Sequence, residues 1–311
     1  MPAPPRDPRH FSPIFVLATA RSFSSVVTAM IGQHPDLVGL PELKLFCCRT
    51  IGELEASLPR YWIERGVTHR SPGLVRAVAE VVFADQDLNS LNRALDWLRD
   101  RPHWSGADVL DVLLARLSPR TAVEKSPDNV STDASLARMA SAYPEARYLH
   151  LARHPVSTQR SMQEHWARTV PAYSLDSEPM SSISAWYDVN RRIFLFGSGL
   201  PPGRYMRVRG EDVLNDSESQ LRAIASWLGL PADHGAIEAM MHPETSPFAR
   251  FGPVGSGVAG GNDPRFLSDP VPHGVALPDT LEQPPGWIGA SLWSMVVDLA
   301  CALGYRDERT T

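Results

Sequence analysis

The chain has 311 residues, 43% of them hydrophobic and 21% charged, with a formal net charge of −5. That length fits one large α/β domain, and that apolar fraction excludes wholesale disorder. The acidic balance argues against a nucleic-acid partner, which needs a basic face, but it allows an anionic ligand held by a few placed Arg and Lys residues.

Residues 1–11 are proline-rich and polar, lack the apolar core of a signal peptide, and read as a flexible tail. No apolar run approaches the ~18 residues of a membrane span. Cys47, Cys48 and Cys301 lack the spacing of a zinc or redox site. The expectation is a cytoplasmic protein with reduced thiols and no membrane partner.

The first β-prone run, Pro13–Ala18, leads through Thr19–Ser25 into a helix from about Ser24. A strand that turns tightly into a helix N-terminus makes an anion site, because free N–H groups and the positive end of the helix dipole face the ligand. Ser22, Ser24 and Ser25 add hydroxyls and Arg21 a fixed charge. The same residues would also suit an ordinary helix cap beside an exposed Arg. Leu37–Gly39 is a candidate short strand. A helical insertion follows, opened by Ser71 as N-cap and Pro72 at the first helical position, and continued by 88–98 and 109–117.

Further β-prone runs are Thr121–Glu124, Tyr148–Ala152 and Tyr205–Val208, each followed by a helical pattern. Strand–loop–helix units in series predict an α/β fold, a P-loop-like parallel sheet of four to five strands flanked by helices. The insertion would roof the crevice at the carboxyl ends of the strands. Arg153 stands at one strand tip and Ser161 lies eight residues on, two turns into the next helix. An Arg and a hydroxyl so placed can share one phosphate, though separately each also suits a plain surface role. The stretch 242–288 is rich in Pro and Gly and reads as a long lid loop, and Ala290–Leu303 as a final helix docking on the core. No linker divides the chain.

These motifs together resemble the family of sulfotransferases that use 3'-phosphoadenosine 5'-phosphosulfate (PAPS). Thr19–Ser25 is similar to the family's PRSGTT-type phosphosulfate loop, and Arg153 with Ser161 to its 3'-phosphate motif. Val123–Pro127 resembles its EKSP segment, and Arg207–Leu214 a later RYEDL strand end. Three further stretches resemble the sulfotransferase domains of polyketide assembly lines. They are Gly39–Phe46 (a PPELHLL-like segment), Gly261–Phe266 (GDPNF-like) and Leu303–Tyr305. The resemblance implies transfer of a sulfuryl group from PAPS to a hydroxyl of a small or carrier-bound metabolite. It implies 3'-phosphoadenosine 5'-phosphate (PAP) as product, and no metal. It gives the 5'-phosphosulfate to Arg21, Ser22, Phe23, Ser24 and Ser25, and the 3'-phosphate to Arg153 and Ser161. Glu42, 21 residues beyond Arg21, would be the base, or else a surface or helix N-terminal Glu before Leu43. Lys125 would counter charge on the leaving group, or serve only in a salt bridge. His273 would face the acceptor or lie solvated in its loop.

Two positions depart from the family pattern. Phe23 replaces Gly, so residue 23 should take a negative φ or be strained, reshaping the loop or packing the ring over the cofactor. Gly210 replaces Tyr and removes an aromatic contact to adenosine. Two rivals follow: a P-loop-like kinase, for which GxxxxGK[ST] is missing, and a catalytically silent nucleotide-binding module of the same fold.

Overall fold

The computed structural model describes residues 12–169, 178–276, 281 and 286–305. The predicted tail at 1–11 lies outside them, as do parts of the 242–288 stretch. Five strands form one parallel sheet: β1 (Ile14–Leu17), β2 (Leu37–Gly39), β3 (Thr121–Glu124), β4 (Arg147–Ala152) and β5 (Tyr205–Arg209). Their order is β2-β3-β1-β4-β5. The candidate strand at 37–39 is therefore real, and it lies at one edge.

β1 is central and buried along its whole length, as an apolar IFVL run between two parallel neighbours should be. Phe15 and Leu17 face one layer, which includes the helices Pro72–Phe83 and Gly106–Leu117. Ile14 and Val16 face the other, with Val27, Met30 and the helix Ser217–Leu228. The last helix, Ala290–Ala302, docks through Trp293, Val296 and Val297 on Trp186 of the helix Glu178–Ser198.

The chain leaves β1 towards β2 but leaves β3 in the opposite direction, towards β4. Such a switch point opens a crevice beyond the strand ends, here between the tips of β1 and β3. The insertion closes on that crevice through a local signal visible in the sequence. Ser71 Oγ accepts from Leu74 N (3.2 Å) as the helix cap and donates to the Glu42 carbonyl (2.7 Å). Gly73 allows this approach, since a Cβ there would sit 2.4 Å from the Glu42 oxygen. The 242–288 stretch is less irregular than its sequence suggests: it holds a 3-10 turn at Pro243–Thr245 and a short helix at Pro264–Ser268, which Asp263 caps by accepting from Arg265 N. Among the described residues, no helix is long and apolar enough to cross a membrane.

Candidate active site

The loop after β1 runs straight into the helix Ser24–Ile31, so Ser24 and Ser25 lie in its first turn. Inside the loop the hydroxyls of Thr19 and Ser22 bond each other at 2.6 Å. Arg21 and Phe23 both adopt left-handed backbone, with φ of 67° and 62°. The negative φ considered for Phe23 does not occur, and the loop keeps the turn that a glycine would take. Its ring packs against the Arg153 guanidinium, 4.2 Å from Cζ to the ring centroid.

Arg153 stands just beyond β4, and its Nη1 donates to the Arg21 carbonyl at 2.7 Å. Its Nε is buried with no acceptor among the described residues. Burial pulls its guanidinium below the usual Arg range, with Glu211 opposing. Ser161 is nearby but engaged elsewhere: Arg21 Nε donates to its Oγ at 3.2 Å. The two predicted anion elements are thus joined directly, through Arg21.

At the tip of β3, Lys125 is 1% exposed and bridges the crevice. Its Nζ donates to Ser25 Oγ (2.9 Å) and to Glu42 Oε1 (2.7 Å). Glu42 Oε2 lies 3.9 Å from Lys44 Nζ, and Lys44 pairs in turn with Asp128 at 3.1 Å. Burial raises the Asp128 carboxyl, but Lys44 and Arg70 outweigh it and hold the group below the ordinary range.

Residues 43–46 are pinned to the segment after β3. Leu43 N donates to Glu124 Oε1 (3.4 Å), Lys44 N to Ser126 Oγ (2.9 Å) and Phe46 N to Asn129 Oδ1 (3.1 Å). Glu124 also accepts from Ser126 Oγ and from Asn129 Nδ2. Burial pushes its carboxyl up to about 7, against those hydrogen bonds and Lys125.

A cavity of about 950 Å³ opens over this cluster. One wall is Ala20–Ser25 with Glu42 and Lys44, another is Tyr61, Trp62 and Arg70 of the insertion, and a third is the glycine-rich run ending in Asp263. Lys125, Arg153 and Ser161 do not line the cavity, and reach it only through their bonds to Ser25, Glu42 and Arg21. His273 is solvent-exposed and paired with Asp269 at 2.8 Å, the solvated alternative.

Several participants escaped the sequence reading. Asp263 binds Arg21 Nη1 at 2.6 Å, and its backbone N donates to Ser25 Oγ at 3.0 Å. Burial raises its carboxyl, but Arg21 more than compensates and holds it below the usual range. Its signal was the GNDPRF stretch, noted for resemblance without a role. Lys44 and Asp128 each lie two or three residues past a residue already singled out. Trp62, on the short helix Arg60–Ile63, carried no signal; Arg70 lies over its ring at 5.2 Å.

The fold is similar to that of known proteins. The sulfotransferase domain from the curacin biosynthetic pathway superposes with a TM-score of 0.72 at 23% identity, covering 96% of this chain and 99% of that one. The sulfotransferase domain from the Synechococcus PCC 7002 olefin synthase gives 0.71 at 24%, covering 97% and 98%. These likenesses show a shared fold. Comparison with curated protein sequences gives no match. The model described as the sulfotransferase family matches residues 13–234, from β1 past β5 and so across every strand tip described above. The chain belongs to the sulfotransferase family.

Proposed function

We propose that this sulfotransferase takes its sulfuryl group from PAPS and places it on a hydroxyl of a small or carrier-bound metabolite in secondary metabolism. The observation that carries the reading is the cluster at the β1/β3 switch point. There a buried Lys125 joins a carboxylate, Glu42, to a hydroxyl at a helix N-terminus, Ser25. The donor set suits an anionic nucleotide: Arg21, Ser22, Ser24 and Ser25 would hold the 5' end, with Phe23 in the same loop. Arg153 and Ser161 would hold the 3'-phosphate, and the buried Arg153 Nε lacks an acceptor among the described residues, as suits a phosphate-binding guanidinium.

When bound, PAPS supplies the sulfuryl group and is left as PAP. Glu42 presents Oε2, the oxygen farther from Lys125, to take the proton of the acceptor hydroxyl. Lys125 places its Nζ beside the loop after β1, where negative charge grows during transfer. Tyr61 and Trp62 give the cavity an apolar wall for the body of an acceptor. The Pro/Gly-rich segment closes the remaining side as a lid. Secondary metabolism is supported by end-to-end similarity to the curacin-pathway and olefin-synthase domains.

Calorimetry with PAP, and with ATP plus magnesium, tests the reading. PAP should bind and ATP should not compete with it. Preference for ATP with magnesium would substitute a kinase, and absence of PAP binding a silent module. Mass spectrometry of PAPS reactions with free and carrier-loaded hydroxyl compounds then seeks the gain of SO₃.

A further inference from the structure

The two departures from the family pattern, Phe23 and Gly210, meet in space. Gly210 directly follows β5, and a Cβ built on it would lie 2.7 Å from Phe23 Cδ2 and 3.4 Å from the carbonyl oxygens of Ala152 and Ser22. A side chain at 210 and the ring in its present place therefore exclude each other. The ring occupies that space at a local cost, because left-handed backbone is unfavourable for a residue with a Cβ. A compensating contact lies on the ring itself, the Arg153 guanidinium stacked at 4.2 Å. Burial makes such cation–π contacts stronger than they are at a surface.

Arg153 is held at three points. Its carbonyl accepts from Trp186 Nε1 (2.8 Å), its Nη1 donates to the Arg21 carbonyl (2.7 Å), and its face rests on Phe23. Stacking fixes the plane of a guanidinium but leaves its edge able to donate, which a planar phosphate fork requires.

We infer that Phe23 is a positioning residue for Arg153: its ring sets the guanidinium plane so that the unpartnered Nε is available to the nucleotide's 3'-phosphate, and Gly210 is the space that admits the ring. The inference rests on the PAPS reading above. It assigns selectivity for a 3'-phosphorylated nucleotide to a residue of the 5' loop, and it makes positions 23 and 210 a matched pair.

The test is calorimetry on the full chain with PAP and with adenosine 5'-monophosphate, which lacks the 3'-phosphate. Wild type should prefer PAP. Phe23→Leu, which fills the space without a π face, should weaken PAP about tenfold and leave the monophosphate unchanged. Gly210→Ala, which displaces the ring from the far side, should give the same selective loss although Phe23 is intact. Failure of wild type to bind PAP would remove the PAPS reading itself. If wild type binds PAP and both variants keep its preference, the positioning role is wrong while that reading stands. Equal loss of both nucleotides in a variant that melts like wild type also overturns it, since the ring would then shape the loop as a whole.

Discussion

The strand tips and the glycine-rich segment face each other across one cavity but are held by different physics. At the tips, charged and polar side chains are buried against one another: Lys125 on Ser25 and Glu42, and Glu124 on Leu43, Ser126 and Asn129. Across the cavity the anchors grip mainly backbone. Arg76 donates to the carbonyls of Gly260 (3.1 Å) and Pro247 (3.4 Å), Thr68 N to that of Gly257 (3.1 Å), and Asn262 Nδ2 to that of Phe248 (3.2 Å). Val258 is fully buried as an apolar plug, while Val254, four residues earlier, is 97% exposed. A site held by buried side chains should change its chemistry when one is altered. A segment held by a few backbone grips should change its mobility and leave the chemistry's geometry alone.

The contrast is tested most severely at Glu42. Glu42→Gln should cut turnover by about 10²–10⁴-fold, the usual worth of a positioned base, while PAP affinity stays near wild type. Turnover near normal, followed as PAP release, would take Glu42 out of its role. Arg76→Leu is the matching break on the other wall. Burial already lowers that guanidinium to about 10, and its loss should cost about 2–3 kcal/mol in denaturant unfolding. Proteolysis should then speed up around Gly255 and Gly257, and unchanged cleavage there would show that the segment does not depend on Arg76.

Asp263→Asn probes where the two regions touch. Removing the carboxylate frees Arg21 for an incoming anion, and PAP should bind about 3- to 10-fold tighter, the scale of a partly exposed ion pair. The gain should shrink in high salt, and weaker binding would mean Asp263 helps to hold the nucleotide. The smallest effect concerns pH. Glu124 keeps its proton to about 7 in the folded chain, well above the unfolded carboxyl range. The folded state therefore binds the extra proton in that window, so stability falls as pH rises from the ordinary carboxyl range through about 7 and levels off above it. Glu124→Gln should flatten that decline in unfolding curves measured across the window, and an unchanged slope would assign the decline to other groups.

The sheet was legible because its strands are written as short β-prone runs, each leading into a helical pattern, and four of the five stood out that way. The helix at Pro72 was legible because Ser71-Pro72 is a local code. The loop after β1, Glu42 and Lys125 were singled out because motif order carried them, but the bond between Glu42 and Lys125 was not, since nothing in the sequence names that partner. The place of the Phe23 ring was not legible, since the room it takes depends on the missing side chain at Gly210, far along the chain. The Arg21–Asp263 pair escaped for the same reason, because charge partners drawn from separate loops leave no periodic trace. The bond from Arg21 to Ser161 was not legible either, since spacing locates a hydroxyl but does not say which arginine it meets.

Glu42 is clasped by both of its backbone groups: its N–H by the carbonyl of Gly261 at 2.8 Å and its carbonyl by the hydroxyl of Ser71 at 2.7 Å. Two residues past Gly261, Asp263 grips Arg21 and Ser25. Lifting this short run of chain would release the Glu42 N–H and the loop after β1 in a single movement, leaving Glu42 held by Ser71 alone of the two. One short run therefore ties the backbone of Glu42 to the loop that follows β1, so that neither can shift without the other feeling it.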